Sequence, residues 1–161
     1  MSAESASVGP ACPPEGAVNC DPEMTGATPT TFELRNKQKP RNFISGEIFR
    51  GGELEFWIEN LPKDGTGCPG WWMFKQMMEH LGKNVAVVIG YWVSGDNLAT
   101  VNALTAGGVM SLEDAAKQTT TGGYARSWGY TNVETVHSPQ STQGTQGTPG
   151  NYSRVYVRFK K

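Results

Sequence analysis

Charge is the first thing this chain is short of. Lys, Arg, Asp and Glu make up 18 % of its 161 residues, against roughly 25 % in an ordinary soluble domain. Fourteen basic side chains meet fifteen acidic ones, for a formal net charge of −1. That balance excludes the broad positive footprint of a duplex-binding protein and leaves only a local basic cluster at Arg154, Arg158, Lys160 and Lys161. Cysteine is scarce too: Cys12, Cys20 and Cys68, with no C-x-x-C. The odd count and the spacing point to neither a disulfide framework nor a zinc knuckle. They favour three reduced thiols in a cytoplasmic chain, with a Cys12–Cys20 bridge as the alternative for an exported one. Two histidines and no H-E-x-x-H remove the zinc-hydrolase motif, so no metal and no cofactor is expected. The opening MSAESASVGPACPPEG has neither a basic n-region nor an apolar h-region; it is not read as a signal peptide, and export would need a specialised route. The longest apolar run, around Val85–Val93, is too short to span a bilayer, so no membrane partner is expected.

Glycine, at 20 residues, is plentiful. Together with Pro, Ser and Thr it dominates residues 1–31, which hold too little apolar surface to offset the entropy of ordering; they read as a disordered leader or linker ahead of a single domain over 32–161. Within that domain Phe43–Arg50 reads as a strand and Gly51-Gly52 as a turn. Glu53–Asn60 then alternates strictly, with Leu54, Phe56 and Ile58 on one face and Glu53, Glu55, Trp57 and Glu59 on the other. Trp71–Leu81 carries Phe74, Met77, Met78 and Leu81 at helical spacing, and Gly82 is placed to stop it. Asn84–Val93 is apolar on both faces, as a central strand is. Asp96 is placed to cap a helix bearing Leu98, Val101 and Leu104. Ser111-Leu-Glu-Asp114 is a capping-box variant. Thr119-Thr-Thr-Gly-Gly123 reads as a break before a last helical turn at Tyr124–Trp128, and Asn132–His137 and Tyr152–Lys160 as strands. Between those two strands, residues 138–150 read as a flexible polar loop. The order β-β-α-β-α-α-α-β-β predicts an α+β fold, a mixed and largely antiparallel sheet of about five strands with helices mainly on one face.

Gly65-Thr-Gly-Cys-Pro-Gly70 matches the dinucleotide pattern G-x-G-x-x-G. Pro62–Asp64 separate it from the preceding strand, Trp71-Trp72 crowd the helix start, and Asp96 lies far beyond the spacing of a ribose partner. It reads as a loop. The residues with chemistry gather elsewhere. His80, in the last turn of its helix, and Asp96, at the next helix start, are the candidate catalytic pair, with His80 as acid or base. Trp92, Asn97, Arg126 and Arg154 are the candidate substrate-binding residues. On the last strand Arg154, Tyr156 and Arg158 alternate base with aromatic, a layout suited to single-stranded nucleic acid.

The segments WWMFKQMMEHLG, VIGYWVSGDNLATVNAL, MSLEDAAKQTTTGGYARSWGYTNVETV and GTPGNYSRVYVRF, taken in order over about residues 53–161, resemble the C-terminal variable domains of Rhs/YD-repeat and haemagglutinin-type polymorphic toxins. The resemblance implies an effector domain delivered into a competitor and neutralised by a cognate immunity protein. With the candidate residues above it leads to a small hydrolase acting on nucleic acid. The other function these residues suggest is a non-enzymatic module that docks a protein partner through Trp57, Trp71 and Trp72.

Overall fold

The computed structural model describes residues 22–27, 30–62, 66–136 and 144–161. Its strands are β1 (Pro22–Ala27), β2 (Thr31–Asn36), β3 (Asn42–Phe49), β4 (Glu53–Asn60), β5 (Val87–Trp92), β6 (Asn132–Thr135) and β7 (Val155–Lys160). Its α-helices are α1 (Gly70–Leu81), α2 (Gly95–Thr105), α3 (Leu112–Lys117) and α4 (Thr120–Ser127). The fold is α+β, as the segment order predicts. The sheet, however, has seven strands in the order β1-β2-β3-β4-β5-β7-β6, not about five. β4 and β5 run parallel, whereas β1–β2, β2–β3, β5–β7 and β6–β7 are antiparallel. Residues 22–27, which composition assigns to the leader, form β1, and the stretch from Thr31 to Asn36 forms β2.

The chain divides into two compact units, one of residues 1–47 and 56–82, the other of 48–55 and 83–161. In the first, the register Phe32↔Gly46 and Leu34↔Ile44 sets Phe32, Leu34 and Ile44 on one buried sheet face. Helix α1 buries Trp72, Met73, Phe74, Met77 and Met78. Phe56 of β4 meets Phe74 edge-on at 5.3 Å between ring centroids, the geometry aromatic quadrupoles favour. Gly82 does not stop α1 in the left-handed region as expected. Its φ is −59°, and the chain runs on through a 3₁₀ turn at Gly82–Asn84, which delays β5 to Val87. The loop before α1 is held by Asn42, whose amide donates to the Leu61 carbonyl (2.6 Å) and accepts from the Cys68 N–H (2.7 Å). Cys68 is fully buried and disulfide-bonded. This corrects the reading of three free thiols.

The second unit starts at the turn between β3 and β4. Gly51 and Gly52 have φ of +84° and +77°, a conformation side chains resist. The Gly52 carbonyl accepts from the N–H groups of Ala86 (2.8 Å) and Val87 (3.1 Å), which starts the parallel pairing of β5 on β4. A Cβ on Gly52 would meet the Ala86 nitrogen at 2.8 Å. Val88, Val155, Val157 and Phe159 are fully buried. Against them lie Val101 of α2, Leu112, Ala115 and Ala116 of α3 and Ala125 of α4, all buried. Ser111 caps α3 by accepting the Asp114 N–H, as predicted. The Thr119–Gly123 stretch does not break the chain but begins α4: the Thr119 hydroxyl accepts the Gly122 N–H (2.9 Å) and donates to the Ala116 carbonyl (2.6 Å). Half of the loop expected to be flexible is built in. Thr145 is buried and bonds the Tyr156 N–H (2.9 Å), while Gln146 bridges Arg154. Residues 138–143 lie outside the described residues.

Candidate functional site

The residues expected to form a site fall in both compact units. His80 belongs to the first unit; Trp92, Asp96, Asn97, Arg126 and Arg154 belong to the second. His80 is exposed in the last turn of α1. Asp96 is exposed too, and it does not cap α2. The cap position falls on Ser94, because Gly95, at φ +86°, turns the chain into the helix one residue early. Asp96 is left in the first turn, where the helix dipole favours its charge. Among the described residues, neither the imidazole nor this carboxylate has a hydrogen-bonding or ionic partner. A catalytic base is ordinarily aimed by a third group, and none aims either of these.

The four expected binding residues each have a structural task. Trp92 is 7 % exposed, and its indole lies over Gly90, where a Cβ would stand 2.6 Å from the ring. Asn97 ties α2 to α4, donating to the Thr121 hydroxyl at 2.9 Å and accepting the Thr121 N–H at 3.4 Å. Arg126 closes the end of α3 with two donations to the Lys117 carbonyl, at 3.1 and 2.9 Å. Arg154 donates to the Gln146 side-chain oxygen at 3.3 Å. These side chains keep the helices and the 144–154 segment in place.

The basic–aromatic face of β7 is likewise engaged. Arg158 donates to Glu53 and pairs with Glu134 at 3.2 Å, and Lys160 pairs with Glu134 at 3.0 Å. Tyr91 stands edge-on to Tyr156 at 5.8 Å. Burial, then the charges of Glu53 and Glu55, raises the Tyr156 phenol above its ordinary value. Carboxylates thus neutralise the cations that would grip phosphate. The face works as an electrostatic staple reaching from β4 to β6. Arg158→Ala will accordingly cost about 1–2 kcal/mol in chemical denaturation, because Glu53 and Glu134 lose their shared partner. Lys160, through its hydrogen bond and charge, lowers the Glu134 carboxyl below its ordinary range, with Arg158 adding to it. A depressed carboxyl stabilises the fold above its unfolded pKa, and that stability disappears as pH falls through the folded pKa. A denaturation series run downward through the carboxylate range will show the loss, and Glu134→Gln will flatten it.

Among the described residues no group of three or more His, Cys, Asp or Glu is placed to hold a metal ion. No helix among them is long and apolar enough to cross a membrane.

The tryptophans are distributed differently from the expectation. Trp72 is buried and takes no part in any surface; Lys75 covers its ring at 5.2 Å. Trp71 is 43 % exposed on α1. Trp57 is 64 % exposed on β4. Because Phe56 faces α1, its neighbour Trp57 points away from that helix, since strand side chains alternate. Trp57 and Trp71 therefore do not belong to one patch. What the first unit presents instead is the side of β2, β3 and β4 opposite the buried Leu34 and Ile44, with one exposed indole on it. Strict alternation in Glu53–Asn60 signals that wet indole; the burial of Trp72 follows from the neighbouring Phe74, Met77 and Met78.

The protein is thus of the mixed α+β class, built on a seven-stranded, mostly antiparallel open sheet. Comparison finds no family model, no curated protein and no solved structure that matches the chain.

Proposed function

We propose that this chain is a non-enzymatic protein-interaction module whose docking surface is the open face of β2–β4, centred on Trp57. The observation that carries this reading is the exposure of Trp57: 64 % of a large aromatic side chain stands in water on a regular strand. Burying it on a partner returns roughly 2–4 kcal/mol, the range of an interface hot spot. The residues expected to do chemistry are instead engaged in the helix and loop contacts described above, or lie exposed without a group to aim them. The disulfide at Cys68 suits a module that works after export, in keeping with the effector role that the toxin resemblance implies. A cognate immunity protein is one partner to try.

Trp57→Ala will leave stability within about 0.5 kcal/mol of wild type, as expected for an exposed position, while abolishing recovery of the partner in affinity capture. Trp71→Ala, on the helix, will retain the partner. Reconstitution of a stoichiometric complex by size-exclusion chromatography, with wild type and both variants, checks this. Equal complex formation by wild type and Trp57→Ala would overturn the assignment of the surface.

A further inference from the structure

One face of the first unit holds an acid–aromatic site filled by a cation and, on the neighbouring strand, the groups of a second with no paired cation among the described residues. Register pairs Thr31↔Glu47, Glu33↔Ser45 and Arg35↔Phe43 put Glu33, Arg35, Phe43 and Glu47 on the face opposite the buried Leu34 and Ile44. There the Arg35 guanidinium donates to both Glu33 oxygens, at 3.0 and 3.1 Å, and lies 4.3 Å from the Phe43 ring centroid. A cation clamped between a carboxylate and an aromatic ring is a favourable arrangement, charge-assisted on one side and quadrupolar on the other. The adjoining strand β4 repeats these groups on its outward side as Trp57 and Glu59, and β3 adds Glu47. No cation completes that set: among the described residues neither Glu47 nor Glu59 forms an ion pair. Lys37, just after β2, is paired with Glu23 at 3.7 Å.

We infer that the occupant of this surface is an extended basic segment of a partner protein, which lays arginine or lysine side chains over Trp57 and against Glu47 and Glu59. The inference rests on the interaction-module reading and adds to it the chemistry of the partner. Trp57 supplies the better π-face for a cation, the two carboxylates supply the counter-charge, and an extended segment presents alternate residues to one side with the period of the strands beneath it. An acidic partner would meet like charges here, which is costly.

The test is calorimetric titration of the full chain with a peptide alternating arginine and threonine, beside a control alternating glutamate and threonine. The basic peptide will bind, and will bind more weakly as salt rises; the acidic control will not bind. Trp57→Ala will weaken the basic peptide about tenfold. The double variant Glu47→Gln/Glu59→Gln will weaken it about fivefold, with an unchanged thermal midpoint showing that the fold is intact. Equal binding of the two peptides, or indifference to the double variant, overturns the basic-segment inference. If neither peptide binds while a captured partner is still lost with Trp57→Ala, the docking surface stands and its chemistry as assigned here is wrong. If Trp57→Ala leaves that partner bound, the docking surface itself is wrong.

Discussion

Replacing Trp92 with alanine will destabilise the protein by about 3–5 kcal/mol, the cost of emptying a large aromatic site in a core that only partly collapses. The indole is 7 % exposed and folds back over Gly90, with Val157 against the same position: a Cβ built on Gly90 would stand 2.6 Å from the Trp92 ring and 2.9 Å from the Val157 methyl. The register pairs Gly90 with Val157 and Trp92 with Val155. The missing side chain on β5 is therefore the space the ring fills. Urea denaturation will show the loss as a lower midpoint with a similar slope. A ligand-binding tryptophan would behave otherwise: its removal would weaken binding and leave the midpoint close to wild type. Trp57 and Trp92 are thus predicted to separate cleanly, one acting on association and the other on folding.

Gly122→Ala will cost about 3 kcal/mol, the upper part of the usual range for overpacking. A Cβ at this position would stand 2.2 Å from the Ala116 carbonyl oxygen and 2.9 Å from that of Lys117. Both obstacles are backbone, at the end of α3, so no side-chain rotation relieves them. The same carbonyls are in use: Ala116 accepts from the Thr119 hydroxyl and Lys117 from Arg126. Moving α4 outward to admit the methyl group would also strain the Asn97–Thr121 pair. Gly123 has nothing within 4 Å of a built Cβ; Gly123→Ala removes a flexible residue from a helix and will be neutral or stabilising by up to about 1 kcal/mol. Thermal melts of the two neighbouring variants distinguish close packing from helix propensity.

The contrast between these positions explains what can be read from the chain and what cannot. Strands β4 and β7 are legible because a half-buried strand writes its two faces into alternate residues. Helix α1 is legible because its apolar stripe has the helical period. β1 is harder: residues 22–27, in a stretch rich in Thr, Pro and Gly, resemble a leader, and only pairing such as Met24↔Leu34 supplies the partner that orders them. Gly122 looks like a helix breaker until the carbonyl it packs against is known. Polar side chains were hard to place for a related reason. Asn97, Arg126 and Arg158 are polar residues whose partners are distant in sequence: Thr121 lies 24 residues from Asn97, and Glu53 lies 105 from Arg158. Read along the chain, such side chains look free to meet a substrate; in the fold, each is already bound. Trp57 is the reverse case. Its exposure was legible from alternation alone, while its separation from Trp71 and Trp72 needed the direction of Phe56.

The most direct measurement is the footprint of the bound partner by amide hydrogen exchange on the full chain. A partner docked on Trp57 will slow exchange in β3 and β4, with α2 and its Asp96 end unchanged. Protection confined to the His80 end of α1 or to the start of α2, with β4 unaffected, would contradict it and return the catalytic reading to the front.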